Sequence, residues 1–229
     1  MSKTITTTTV TTTVVETQVA PTKARLVFVL DRSGSMNNIK NEAIGGFNAF
    51  VDGQKKVPGE ADITLVIFDN IIETIHSRVG LNHVPVLTEE VYTPRGMTAL
   101  YDAIGVTITK CLEEKVSDDT KTILAILTDG EENSSKEFSG STVASLISKV
   151  EKEHNWEVLF LGANIDVQKM ATTLNIQGGK FASFTASAKG MADTYSALNS
   201  AATTYRSMGA AACAAVDMQD LYDTEAAKQ

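Results

Sequence analysis

Cysteine is scarce in this 229-residue chain: only Cys111 and Cys213 occur, and neither has a neighbour at metal-ligand or redox spacing. That excludes a zinc knuckle, a CxxC redox centre and a disulfide scaffold, and both residues read as small buried thiols within helices. The three histidines, His76, His83 and His154, are scattered without ligand spacing, and no role is assigned to them. No run of about 18 apolar residues is present, and the start lacks the basic and apolar blocks of a signal peptide. A cytoplasmic location is the expectation. Positive charge is also short, with 20 Lys and Arg against 28 Asp and Glu, a net charge of -8 and a pI near 4.9. Neither a nucleic-acid backbone nor an anionic membrane attracts such a surface, whereas a cation does. The phosphate-cradling and nucleophile-bearing loops Gly-x-x-x-x-Gly-Lys, Gly-x-Gly-x-x-Gly and Gly-x-Ser-x-Gly are all missing.

What is present suits one globular domain with tails, since 43% of residues are hydrophobic and the length allows a sizeable core. The divisions are a threonine-rich arm over 1–22, a domain over 23–207, and an alanine-rich, then acidic, tail over 208–229. β-branched residues dominate the arm and disfavour helix, so it is expected either to move freely or to add as a strand to a neighbouring sheet edge. The tail is expected to extend the last helix or fray from it.

Within the domain, short apolar runs alternate with segments of helical periodicity. Leu26 to Leu30 is too short for a helix and reads as a strand buried on both faces. Ile39, Ala43, Ile44, Phe47 and Phe50 predict a helix over Ile39 to Gln54. Two β-rich runs, Asp62 to Phe68 and Ile71 to Ile75, are separated by Asp69-Asn70 and predict a hairpin, hence one antiparallel strand at an edge. Then follow helix Ala99 to Val116, strand Thr122 to Leu127, helix Thr142 to His154, strand Val158 to Leu161, helix Val167 to Leu174, strand Phe181 to Phe184 and helix Ala188 to Arg206. The alternation specifies an α/β fold: a doubly wound, mostly parallel six-stranded sheet with one antiparallel edge strand. Such sheets bind ligands beyond the carboxyl ends of their strands.

Three segments put oxygen-bearing side chains at that end: Asp31-Arg32-Ser33-Gly34-Ser35, Gly96-Met97-Thr98 and Thr128-Asp129-Gly130. Asp31, Ser33 and Ser35 can face one centre if the chain curls, and Gly34 permits the curl. Hard cations such as Mg²⁺ prefer oxygen ligands of this kind. Asp-x-Ser-x-Ser after the first strand, Thr98 in Gly-x-Thr and Asp129 in Thr-Asp-Gly together resemble the metal-ion-dependent adhesion site (MIDAS) of von Willebrand factor type A domains. The resemblance covers roughly Arg25 to Arg206. It implies a Rossmann-like fold, with Ser33 and Ser35 binding Mg²⁺ or Mn²⁺ through their hydroxyls, Thr98 doing so in the ligand-ready state, and Asp31 and Asp129 acting largely through bound waters. It also implies a protein partner that offers an Asp or Glu carboxylate. The flanking residues resemble the compact, stand-alone bacterial and phage members of the family.

Structural readings stand beside these. Ser33 or Thr98 could cap a helix, and Asp129 could serve a plain turn with Gly130. Asp102 fits a helix N-terminus and Asp69 a hairpin. Arg32, Arg95, Met97, Tyr101, Glu131, Glu132 and Asn133 are placed to form a rim around the ion. The leading functional reading is a binding module without turnover. A second is self-assembly, in which the arm, or a tail carboxylate among Asp217, Asp220, Asp223 and Glu225, engages the next subunit. A third, a metal-dependent hydrolase or phosphotransferase resembling haloacid-dehalogenase-like enzymes, is disfavoured because Ser33 stands where their second aspartate is needed.

Overall fold

The computed structural model describes residues 23–117, 120–176, 178–207 and 216–228; the expectations for the threonine-rich arm and for Cys213 lie outside them. Six strands, β1 (Ala24–Asp31), β2 (Ala61–Phe68), β3 (Ile72–Gly80), β4 (Lys121–Thr128), β5 (Trp156–Gly162) and β6 (Phe181–Ser183), form one sheet in the order β3-β2-β1-β4-β5-β6. β3 is antiparallel to β2 and lies at an edge; the other pairings are parallel. Helices α1 (Lys40–Gln54), α2 (Leu100–Glu113), α3 (Gly140–Glu153), α4 (Val167–Thr173), α5 (Ala188–Ser207) and α6 (Met218–Ala226) complete the domain. This is the doubly wound architecture that the alternation of strand and helix predicts.

The apolar runs follow from burial on both faces. Along β1, Leu26, Phe28 and Leu30 join a core beneath α1, α5 and α6 that includes Phe47, Phe50, Tyr195 and Tyr222. Val27 and Val29 point the other way, into a core with α2, α3 and α4 that includes Ile104, Ile147 and Ala171. The two-residue period of a strand thus fills two layers at once.

The elements differ from the sequence expectation mainly at their ends. A 3₁₀ segment, Gly34–Ile39, precedes α1, so the chain after Asp31 is more tightly wound than a simple loop. The β2–β3 turn occupies residues 69–71, and β3 runs on to Gly80 through a register shift at which Arg78 adopts a φ of 51°. In the segment read as a tail, residues 218–226 neither extend α5 nor fray; they form α6, which places Met218 and Tyr222 in the core. The carboxamide of Gln219 pairs with both backbone groups of Ser183, accepting from its N–H at 2.9 Å and donating to its carbonyl at 3.5 Å. The helix therefore closes the β6 side of the sheet.

β1 and β4 are neighbours, yet the chain leaves them in opposite directions, β1 toward β2 and β4 toward β5. Such a switch point opens a crevice beyond the carboxyl ends of the two strands. Asp31 ends β1 and Asp129 immediately follows β4.

Candidate metal centre

Asp31 is fully buried, and both of its carboxylate oxygens accept hydrogen bonds from the chain. Oδ1 accepts from the Ser33 N–H at 2.6 Å and Oδ2 from the Thr128 hydroxyl. The first bond curls the backbone so that Ser33 and Ser35 face the same way, their Oγ atoms 3.0 Å apart. Ser35 then donates to Asp129 Oδ1 at 2.5 Å, which joins the loop after β1 to the loop after β4. Neither Ser33 nor Thr98 makes a side-chain cap: Ser33 precedes the 3₁₀ segment without one, and the N-cap of α2 is Ala99.

Gly130 reports where these groups point. A Cβ built on it would lie 2.9 Å from Thr98 Oγ1, 3.4 Å from Ser35 Oγ and 3.6 Å from Ser33 Oγ. Three hydroxyls from two loops therefore converge on one point above a residue with no side chain. The β1–β4 pairing brings Asp31, Ser33 and Ser35 to Asp129, 98 positions from Asp31, and backbone hydrogen bonds to Asn133 and Asp69 hold Thr98 beside them.

The electrostatics of the cluster are lopsided. Burial pushes the Asp31 carboxyl up to about 6, against the opposing effect of its hydrogen bonds from Thr128 and Ser33. Asp129 is raised as well, again by burial first, with the Ser35 hydrogen bond opposing. Two carboxylates held out of water and bonded, among the described residues, to neutral hydroxyls and a backbone N–H but to no cation are under-neutralised, and a cation relieves that cost. The donor chemistry, all oxygen and mostly neutral, suits a hard divalent ion. Among the described residues no group of three or more His, Cys, Asp or Glu could hold a metal, so any site here depends on hydroxyls.

Several residues hold the cluster in roles that sequence reasoning did not assign to them. Thr128 gives its one hydroxyl proton to Asp31 and accepts from the Gly130 N–H at 3.1 Å. Tyr92, fully buried, donates to the Asp31 carbonyl. Asp69 does more than close the hairpin. Its Oδ1 accepts from the Ile71 N–H at 2.6 Å, while Oδ2 meets Arg32 and Arg95, each at 3.0 Å. Glu73 bridges the same two arginines at 2.7 and 3.1 Å. Of these, only the Thr128-Asp129-Gly130 motif left a mark in the sequence; nothing in the spacing of Tyr92 or Glu73 announces their partners.

The expected rim needs correction at Arg32. It is 3% exposed and turned into the Asp69–Glu73 cluster, because the loop that aims Ser33 at one side of the chain aims its neighbour at the other. Arg95, Met97, Glu131 and Asn133 are exposed as expected; Tyr101 and Glu132 are half-buried. Glu132 accepts from the backbone N–H groups of Tyr101, Ser134 and Ser135, and Asn133 Oδ1 accepts from the Thr98 N–H at 2.9 Å. Asp102 accepts from the N–H groups of Lys136, Glu137 and Phe138, so it orders the loop after β4 rather than serving its own helix terminus. Of the tail carboxylates, Asp217 caps α6, Asp223 accepts from Gln219 at 3.1 Å, and Glu225 pairs with Lys228 at 2.6 Å.

Comparison with solved structures places this fold among von Willebrand factor type A domains. Proximal thread matrix protein 1 from the mussel byssus, solved with a zinc-occupied MIDAS motif, is 17% identical with a TM-score of 0.59 over 80% of this chain and 46% of its own. A von Willebrand factor type A protein from Catenulispora acidiphila is 13% identical with a TM-score of 0.60 over 80% of this chain and 43% of its own. Manganese-loaded TRAP protein from Plasmodium vivax is 15% identical with a TM-score of 0.53 over 72% of this chain and 69% of its own. The chain thus spans less than half the length of the first two. No family model matches the sequence, and no curated protein matches it.

Proposed function

We propose that this domain is a divalent-cation-dependent protein-binding module without turnover, in which the hydroxyls of Ser33, Ser35 and Thr98 and the carboxylates of Asp31 and Asp129 hold Mg²⁺ or Mn²⁺. The observation that carries the reading is the convergence of three hydroxyls on one point above Gly130, between two buried carboxylates. Neutral hydroxyls leave a bound ion's charge poorly quenched, so that ion, when present, supplies an electrophilic seat for an Asp or Glu carboxylate from a partner protein. The chain's own residues do the positioning. Thr128 and the Ser33 N–H fix Asp31, Asn133 fixes the backbone of Thr98, and the Arg32–Asp69–Glu73–Arg95 cluster ties the loop after β1 to the β2–β3 turn and the 94–98 segment. Zinc in the mussel protein's MIDAS motif and manganese in the Plasmodium protein lend support from the same fold.

The test is thermal unfolding with and without cation. An ion that binds the folded chain alone stabilises it by mass action, by about 2.7 kcal/mol at a hundred times its Kd. Mg²⁺ or Mn²⁺ should raise the melting temperature of the wild type and leave Asp31→Ala nearly unmoved; equal shifts in both proteins would count against the site. The partner is sought by pull-down from host lysate in Mg²⁺ and again in EDTA, with retention in EDTA as the contrary result.

A further inference from the structure

We infer that the partner's carboxylate is neighboured by an apolar side chain, which rests on a ledge formed by Met97 and Ile71 on the β2 side of the metal centre. The inference rests on the proposed carboxylate-binding function and adds the partner's second feature.

Five large hydrophobic residues are exposed among the described residues, and two of them, Met97 at 52% and Ile71 at 50%, stand on segments that are fastened together beside the hydroxyl cluster. Met97 directly precedes Thr98. On one side of it Ala99 N–H donates to the Asp69 carbonyl at 3.0 Å; on the other, Gly96 lies against Asn70 and Asp69, so closely that a Cβ there would collide with the Asn70 side chain. Both anchor points belong to the turn that carries Ile71. The 96–99 segment therefore cannot swing Met97 away from that turn without breaking contacts that also position Thr98. Apolar side chains half in water at a built position gain by being covered.

Charge decides on which side of the ion the partner lies. On the β4 side the rim carries Glu131 and Glu132, and the carboxylate of Asp102 lies behind them; Glu132 and Asp102 spend their oxygens on backbone N–H groups rather than on cations. Negative potential there repels a segment that already carries an acidic group. On the β2 side the two arginines are matched by Asp69 and Glu73, so the ground around Met97 and Ile71 is close to neutral. An acidic residue can seat at the ion while its apolar neighbour covers the ledge. A second acidic neighbour gains nothing there.

A peptide array tests this with the full chain. Immobilised heptapeptides carry a central Asp or Glu in a Ser/Gly background, with Leu, Ser, Lys or Glu at each flanking position, and are probed in Mg²⁺ and in EDTA. Capture should require Mg²⁺ and the central acid, and Leu on one flank should raise it about tenfold over Ser. Met97→Ser and Ile71→Ser, both surface changes whose folding is checked by their melting temperatures, should each erase most of that Leu-over-Ser difference. Metal-dependent capture with no flank preference, or a Leu preference that survives both substitutions, would overturn the ledge while leaving the carboxylate reading in place. Capture of no acidic peptide, or capture indifferent to EDTA, would overturn both.

Discussion

The amino ends of the strands and the hydroxyl cluster beyond their carboxyl ends treat buried charge in opposite ways. At the amino ends of the parallel strands, arginines are answered from within the chain. Arg25 donates to the Cys111 carbonyl at 3.1 Å and pairs with Glu114; Arg78 meets Asp62 at 3.1 Å and the Lys115 carbonyl at 3.2 Å. Arg206 donates to the carbonyls of Gln54, Val57 and Gly59, which lie at and just beyond the end of α1. At the carboxyl ends Arg32 is likewise answered by Asp69 and Glu73, but Asp31 and Asp129 are buried among hydroxyls, with no ion pair to either among the described residues. The first arrangement is closed and serves stability. The second leaves two carboxyls raised by burial and unpaired with a cation among the described residues, which is the gap the proposed ion would fill.

The contrast is sharpest at Arg206. Arg206→Met strips donors from the carbonyl and side chain of buried Gln54 and from the carbonyls of Val57 and Gly59, and should cost about 3 kcal/mol of unfolding free energy. Urea denaturation measures this, and the loss should be the same in Mg²⁺ and in EDTA because the residue belongs to the closed end. A loss that depended on Mg²⁺ would break the division between the two ends.

Asp31→Asn should have the opposite sign. A carboxyl raised by burial destabilises the fold once it ionises, beginning above its ordinary value of 3.8 and in full above about 6. In EDTA at pH 7.5 the amide variant should therefore be more stable than the wild type, by about 2 kcal/mol. In saturating Mg²⁺ the order should reverse, because only the wild type gains from the ion. Lower stability of the variant in EDTA would mean that Asp31 is structural, like the charges at the other end.

Much of this comparison was legible in the sequence. Strand and helix alternation gave the architecture, because parallel strands buried on both faces must be apolar throughout, as Leu26 to Leu30 is. The five candidate residues, which the fold brings together, could be picked out because their chemistry is concentrated in short segments at strand ends. Tyr92, Asp69 and Glu73 could not, since a hydrogen bond from Tyr92 to a carbonyl 61 positions away leaves no local pattern. Arg32 was misread for a related reason: an arginine beside a metal loop looks exposed until the carboxylates that bury it are located in space. The ends of α1 and α2 shifted because the curl after Asp31 and the Ala99 cap are set by tertiary contacts rather than by propensity.

A glycine separates the centre's geometry from its charge. In Gly130→Ala the added methyl would lie 2.9 Å from Thr98 Oγ1, within the space the three hydroxyls share. The Asp31 and Asp129 carboxylates stay. Ion affinity, read from the Mg²⁺ dependence of the melting temperature, should fall more than tenfold, with the EDTA melting temperature within a few degrees of the wild type. If affinity is retained, the convergence point is not where the ion sits.

The smallest effect belongs to a group at neither end. His76, on β3, is buried against Phe47 with ring centroids 6.4 Å apart, and its Nε2 finds no hydrogen-bond partner among the described residues. Burial holds the imidazole below its ordinary value of 6.5, outweighing hydrogen bonds with the backbone of Ile75 and Pro85. The unfolded chain therefore takes up a proton near pH 6.5 that the folded chain refuses, so stability falls as pH drops through that value toward the folded one. The buried carboxylates act the other way in mildly acid solution, since Asp31 binds its proton more readily folded than unfolded. A simple pH profile would mix the two. Comparing the wild type with His76→Gln between pH 7.5 and 5.5 isolates the histidine, and the wild type should lose more stability than the variant over that range. The loss should persist in saturating Mg²⁺, because His76 titrates apart from the ion; a loss that vanished with Mg²⁺ would tie this strand to the metal centre.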